Sequence, residues 1–330
     1  MTSRRTKCVA IAGLMMAAVF STGASADDHC AGRKPYLIYY ATHAIAEPVW
    51  ETVKRGAEQG AADNCLKMKW TQDQKFSIET TINRMETAIT EKPDLMVITA
   101  TDPKAMGPTM RKAHDAGIPM IAINSLDPAP KAERVPYLIG IGADLYQSGV
   151  AGAEQVLKKN PHPKHGLVPN HVPGHVGLEQ MAKGFADTLK KAGATVDVIA
   201  IGTDTSQASA TIDNYFLAHP DTDAVFCMNA GAYCFETVLD VARREKLTGP
   251  KLSLVSFDIS PALLDAIGTG EAIAGIDQLM YLQGYLPAVI ARNYLDYGMM
   301  PEADIITGPA IIDKSNLDKV RHRLMDAHLN

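Results

Sequence analysis

DLMVITATDPKAMGPTMRKAHDAGIPMIAIN, residues 94–124, holds a strand, a helix and a second strand in one line. Leu95 to Ala100 is a short, nearly unbroken apolar run, the pattern of a strand covered on both faces. Asp102-Pro103 then supplies an N-cap and a first-turn proline, helical spacing follows, and Gly117 closes the helix before the apolar run that ends at Asn124. Two buried strands joined by a helix must lie parallel, because a crossover of this length returns the chain to the same edge of the sheet.

The same alternation extends in both directions. PYLIYYA (35–41) reads as a strand, EPVWETVKRGAEQGAADN (47–64) as a helix, LKMKWT (66–71) as a strand and SIETTINRMETAITEK (77–92) as a helix. After the Pro- and Ala-rich LDPAPKAERVP (126–136), a second series is expected to begin. Its strands are read near YLIGIG (137–142), HGLVPN (165–170), TVDVIAI (195–201), DAVFCMN (223–229), KLSLVSFD (251–258) and AIAGID (272–277). GLEQMAKGFADTLKKAG (177–193) and AYCFETVLDVARREK (232–246) are the clearest of its helices, each apolar on one side and charged on the other. Two successive series of similar size predict an α/β protein of two lobes, each a parallel sheet with helices on both faces. A chain of 330 residues also exceeds what one core usually serves.

The first residues read as a secretory signal peptide, 1–26. Basic Arg4, Arg5 and Lys7 precede the apolar run CVAIAGLMMAAVF (8–20), and Ala24-Ser25-Ala26 suits cleavage before Asp27. The run is short for a membrane span, so a soluble, exported protein in an oxidising compartment is expected. Cys30 precedes the first strand and Cys65 the second; if those strands are parallel neighbours, both thiols reach one sheet edge, and a Cys30–Cys65 bridge is expected. Cys227 and Cys234 read as buried thiols. The 32 basic and 37 acidic residues form no long run of one sign, which gives no footprint for nucleic acid or an anionic membrane.

Open parallel sheets meet their ligands at the carboxyl ends of strands. The polar groups there are Asn124, Asn229, Asp258 and Gln278, neutral amides and a carboxylate that can pair with neighbouring hydroxyls, although each could equally cap the helix that follows it. Trp50, in the first turn after Glu47-Pro48, offers an aromatic face, whereas Trp70 lies within a strand and reads as structural. Phosphate loops of the form G-x-x-x-x-G-K-[ST] and G-x-S-x-G elbows are missing, and THAIAEP (42–48) has no glycine, so neither dinucleotide binding nor an enzyme is expected. His171 and His175 in HVPGH, and His162 and His165 just before, suggest a metal. However, the Pro-Gly interruption breaks helical facing and no nearby Cys completes a tetrahedral set, so neither metal nor cofactor is expected.

The stretches EPVWETVKRGAEQGA (47–61), KPDLMVITATDPKAMGP (92–108), AGIPMIAINS (116–125), GLEQMAKGF (177–185), HPDTDAVFCMNAGA (219–232), LVSFDISPALL (254–264) and GIDQLMYLQGYLPAV (275–289) together resemble the periplasmic sugar-binding proteins of bacterial ABC importers, the ribose- and galactose-binding type. The resemblance implies the type I fold, two Rossmann-like lobes joined by a three-crossing hinge near Gly140-Ile141-Gly142, Asp277-Gln278 and Gly308-Pro309. The lobes would comprise 27–139 with 279–307, and 140–278 with 308–330. It further implies a monomer in the periplasm that captures a simple sugar or polyol and hands it transiently to an ABC permease of the inner membrane. A sensor that presents its ligand to a receptor histidine kinase is the alternative. Asn229, Asp258 and Gln278 match family residues that bind sugar hydroxyls, Trp50 matches the family's first-loop aromatic, and Glu47 stands where Asn or Asp is usual. Ribose binders carry Asp-Arg where this chain has Asn124-Ser125, and Arg where it has Glu179, with Met181 two residues on. An acidic site disfavouring phosphorylated or acidic sugars is the consequence, with room for a polyol, an amino sugar or another cation-bearing ligand.

Overall fold

The computed structural model describes residues 29–44 and 48–326; the signal peptide expected at 1–26 and Glu47 lie outside the described residues. The described residues divide into two compact units, one ending at Arg33 and the other beginning at Lys34. In the first, Arg33 N donates to Cys30 O (3.0 Å), closing a turn.

The second unit alternates as expected: β1 (Leu37–Ala41), α1 (Pro48–Asp63), β2 (Lys67–Trp70), α2 (Ile78–Glu91), β3 (Leu95–Ile98), α3 (Pro103–Asp115), β4 (Met120–Ile123) and β5 (Ile139–Gly142). There follow α4 (Leu145–Lys159), β6 (His165–Asn170), α5 (Val176–Lys191), β7 (Thr195–Ala200), α6 (Thr205–Ala218), β8 (Thr222–Cys227), α7 (Thr237–Arg244), β9 (Ser253–Phe257), α8 (Pro261–Thr269) and β10 (Ala274–Asp277). The series ends with α9 (Met280–Tyr297), β11 (Ile305–Ile306), β12 (Ala310–Ile312) and α10 (Leu317–Asp326). Helix starts carry the expected caps: the Asp102 carboxylate accepts from Ala105 N (2.9 Å), and Ser260 Oγ accepts from Leu263 N (3.2 Å). Among the described residues, no helix is long and apolar enough to cross a membrane.

Among the described residues two six-stranded sheets result, in the orders β2-β1-β3-β4-β5-β11 and β7-β6-β8-β9-β10-β12. Every pairing is parallel except β10 with β12, where Gly275 faces Ile312 in antiparallel register. YLIGIG was expected to open the second series, yet β5 joins the first sheet, with Ile121 opposite Ile139. An apolar run specifies burial and not which sheet buries it. The proline-rich stretch before it is a folded excursion: Asp127 accepts from Ala129 N (3.0 Å) and Val135 N (2.8 Å), and Leu138 N returns to Met120 O (2.8 Å). Asp304, just before β11, then accepts from Gly140 N (2.7 Å) and pairs with Arg134 (2.7 Å), which fixes β5 against the edge.

The chain therefore passes between the sheets three times, after β5, β10 and β11. The three passages are tied together. Thr307 N donates to Gly142 O (3.0 Å), Thr307 Oγ1 donates to Gln278 O (2.8 Å), and Asp144 N reaches Gly308 O (3.4 Å). Within each lobe a pair of helices packs backbone to backbone. A Cβ at Gly284 of α9 would stand 1.9 Å from Val53 O of α1, and one at Gly149 of α4 would stand 2.0 Å from Met181 O of α5. Cys227 and Cys234 are buried free thiols. Burial and a hydrogen bond with Cys234 push the Cys227 thiol well above its ordinary range.

Candidate functional site

A cavity of about 690 Å³ opens where the carboxyl ends of the two sheets meet. Its floor is a chain of side-chain amides. Asn124 Nδ2, at the end of β4, donates to Gln278 Oε1 (2.9 Å), and Gln278 Nε2 donates to Asp258 Oδ1 (2.6 Å), at the end of β9. Asn124 and Asp258 both adopt left-handed backbone, with φ of 63° and 66°. Asn and Asp are the non-glycine residues that tolerate this conformation best, and it turns the chain sharply at each strand end. Behind the floor, Gln283 donates from Nε2 to Gln278 O (3.0 Å), Gln278 Oε1 (3.1 Å) and Thr307 Oγ1 (3.1 Å). Gln278 and Gln283 are 3% and 0% exposed, so the amides hold one another in place where water does not compete.

One wall is aromatic. Trp50, 4% exposed, stands edge-to-face with His43 at 4.7 Å between ring centres; Phe76 packs against His43 (5.6 Å) and His175 (6.1 Å), and Tyr233 against His171 (5.0 Å). Burial and the neighbouring His175 drive His43 well below the usual imidazole range and His171 down to about 4; burial likewise lowers His175. All three rings are therefore neutral at pH 7, each with one donor and one acceptor nitrogen. The Nδ1 atoms of His43 and His171 are buried with no hydrogen-bond partner among the described residues. Lys75 and Asp204, both exposed and of opposite charge, also line the cavity.

Trp50, Asn124, Asn229, Asp258 and Gln278 all line this cavity. Asn229 precedes a π-helical turn (Ala232–Glu236) that presents Tyr233, and its Oδ1 accepts from Gly231 N (2.6 Å). Glu179 is not among the lining residues. Its Oε1 accepts from Asn170 Nδ2 (3.0 Å) and Gly174 N (3.1 Å), because the first turn of α5 faces the donors of its own preceding loop. Glu179 thus holds that loop through one carboxylate oxygen, and Asp258 is the carboxylate at the cavity floor. Trp70 rests against Tyr40 (5.5 Å) and donates to Gln72 (2.9 Å), away from the lining. His43 and His175 fall within the strand-end loops 42–50 and 170–179 that the sequence marks for inspection, whereas sequence reasoning missed Phe76 and Tyr233 as wall residues. Gln74 to Phe76 follow β2, so the strand-end rule applied to that strand would have found Phe76.

Neutral, buried histidines tie stability to pH. With unfolded values near 6.5 and a folded His171 near 4, the unfolded chain binds more protons in this window. The contribution is complete above pH 6.5 and is lost as pH falls toward 4. His171→Asn is expected to lose less melting temperature than the parent between pH 7 and 4.5; equal losses in the two proteins would contradict this origin.

Two strand-end surfaces facing one cavity across a threefold chain crossing define a two-lobed binding protein. The chain belongs to the periplasmic binding protein family: residues 38–299 match the family's periplasmic binding protein domain. It is 28% identical over 297 residues to the xylose/arabinose-binding protein XylF of Sulfolobus acidocaldarius, covering 86% of this chain and 72% of that protein. It is 22% identical to the ribose import binding protein RbsB of Bacillus subtilis, covering 80% and 83% of the two chains. Among solved structures, a periplasmic sugar-binding protein of an ABC sugar transporter from Legionella pneumophila superposes with a TM-score of 0.74 at 26% identity, over 83% of this chain and 99% of that one. A carbohydrate transporter from Acidothermus cellulolyticus, solved with myo-inositol, shares the fold at a TM-score of 0.79 and 22% identity, over 89% and 99%.

Proposed function

We propose that this protein is the substrate-binding component of an ABC importer, capturing a neutral simple sugar or polyol between its lobes. The observation that carries the reading is the Asn124-Gln278-Asp258 chain of hydrogen bonds on the cavity floor, opposite the wall of Trp50, Phe76 and neutral histidines. Vicinal hydroxyls both donate and accept, as the amides, carboxylate and imidazoles require, while the C–H face of a sugar ring suits an aromatic wall. Asp258 on the floor disfavours a phosphorylated ligand by repulsion. The relatives' names, xylose/arabinose-binding and ribose import binding, support the same class.

In this reading the ligand docks on one lobe and the hinge closes the other over it, so contacts made only in the closed form favour closure. A membrane permease then recognises the closed pair. The signal peptide at 1–26 delivers the protein to the periplasm, where it acts as a monomer and binds without chemistry. A Cys30–Cys65 bridge belongs to the same reading, and non-reducing peptide mapping tests it.

Calorimetric titration of the exported chain with pentoses, hexoses, polyols and amino sugars is expected to yield one-to-one binding by at least one of them. Silence across the panel would overturn the reading. Trp50→Leu, which keeps an apolar side chain but removes the ring face, is expected to weaken the bound sugar about tenfold, or about 1.4 kcal/mol. Unchanged affinity would remove Trp50 from the ligand's surroundings.

A further inference from the structure

At the other end of the second sheet from the cavity, His165, His219 and Asp221 bring two imidazoles and a carboxylate together. One ligand atom from each lies within 4.8 Å of the other two. The fold fixes this convergence. His165 opens β6 and pairs in register with Thr222 of β8; His219 caps the C-terminus of α6, and Asp221 follows in the same tight turn. That turn is pinned by Thr222, whose N and Oγ1 both donate to His219 O (3.1 and 2.8 Å).

We propose that His165, His219 and Asp221 form a zinc site. His165 is 6% exposed, and its two nitrogens face different partners. Nε2 meets Asp197 Oδ2 at 3.0 Å and Tyr215 OH at 3.0 Å, and the Asp197 oxygen accepts from Tyr215 OH at 2.9 Å. With Asp197, which can only accept, and the Tyr215 hydroxyl beside Nε2, the tautomer protonated there satisfies both neighbours and leaves Nδ1 with its lone pair, the arrangement usual for metal-bound histidines. Nδ1 stands 3.4 Å from Asp221 Oδ1, long for a charge-assisted hydrogen bond but close to the separation of two ligands in a tetrahedral zinc site with bonds of about 2.0–2.1 Å. The Asp221 side chain is 60% exposed and the His219 ring is half-buried, so both can close the remaining distance without disturbing the core. The His219 ring stacks on Tyr215 at 4.4 Å, which orients it toward the cluster.

The surroundings favour a cation. The last carbonyls of α6 point toward the turn that holds His219, and the negative end of the helix dipole adds to Asp221 and Asp197. Two nitrogens and one oxygen, with the fourth position left to water, match zinc's borderline preference better than that of calcium or magnesium. Because the site ties β6 to the α6–β8 turn within one lobe, metal there would stabilise that lobe. It lies a strand's length, on the order of 16 Å, from the sugar cavity.

The test uses the full exported chain without a polyhistidine tag, titrated with Zn2+ alone and with Co2+ as a spectroscopic substitute. We expect one Zn2+ per chain and Co2+ absorption bands of tetrahedral type. The dissociation constant should rise at least tenfold in His219→Ala and in Asp221→Asn, surface substitutions that spare the core. Asp197→Asn should weaken zinc by 10–100-fold with sugar affinity unchanged. Absence of stoichiometric zinc would overturn the proposal. So would zinc that survives both surface substitutions but is lost in His171→Ala or His175→Ala, which would place the metal in the cavity instead.

Discussion

Gln278→Ala is expected to weaken ligand binding about a hundredfold, or about 2.7 kcal/mol, the largest effect of any single substitution on the cavity floor. The side chain is buried and joins both lobes: it accepts from Asn124 of the first and donates to Asp258 of the second, while Gln283 holds its oxygen from behind. Truncation removes these bonds together and leaves the Asp258 carboxylate without its short contact to Nε2. A buried acceptor that loses a partner costs more than an average hydrogen bond contributes, because water cannot readily take the partner's place. Gln278→Glu keeps the shape but sets a second carboxylate beside Asp258, and is expected to bind less well at pH 7 than at pH 5, where one of the pair takes up a proton. Titration of both variants with the best ligand of the parent checks this. Wild-type affinity in Gln278→Ala would show that the ligand does not depend on the floor. Thr307→Val offers a control for hinge stability: it removes the hydroxyl that donates to Gln278 O and is expected to cost about 1 kcal/mol of folding stability with a smaller change in affinity.

Gly284→Ala is expected to destabilise the folded chain by about 3 kcal/mol although it adds one methyl group and improves helix propensity. The new Cβ would stand 1.9 Å from Val53 O and 2.8 Å from Ala57 N, which are backbone atoms of α1 that no rotamer change can move aside. The two helices must separate, and Tyr40 OH would lose its 2.8 Å bond to Gly284 O as they do. Gly149→Ala should behave alike in the second lobe, with its Cβ 2.0 Å from Met181 O. Gly268→Ala is the contrast, for its Cβ would meet only the flexible ends of Arg321 and Leu317 at 3.4 Å, and it is expected to be neutral or slightly stabilising. Urea unfolding of the three variants separates these expectations; a Gly284→Ala protein as stable as the parent would mean that α1 and α9 pack less closely than described.

These two predictions also mark how far the sequence could be read. The strand in GIDQLMYLQGYLPAV and the polar character of Gln278 were legible, and the strand-end rule put Asn124, Asn229, Asp258 and Gln278 among the residues to inspect. Gln283, a polar residue inside the helical stretch that follows Gln278, is a fully buried member of the floor's hydrogen-bond chain, which its sequence neighbours do not reveal. Glu179 read as a ligand group; its Oε1 accepts from Asn170 and Gly174, nine and five residues away in sequence. Its nearest donors were local, and a carboxylate at a helix start is readily captured by loop N–H groups.

The sequence by itself determined the alternation of strand and helix, the caps that bound each helix and hence the parallel sheets whose carboxyl ends must carry the site. Those features depend on neighbours within a few residues, through apolar periodicity and the backbone preferences of Asp, Ser, Pro and Gly. Only the tertiary structure decided that YLIGIG completes the first sheet, that Asn124 meets a glutamine 154 residues away, and that His43, Phe76 and His175 form one wall. Such contacts arise where loops from separate crossovers converge, and a residue's own sequence carries no record of which distant strand end it will face.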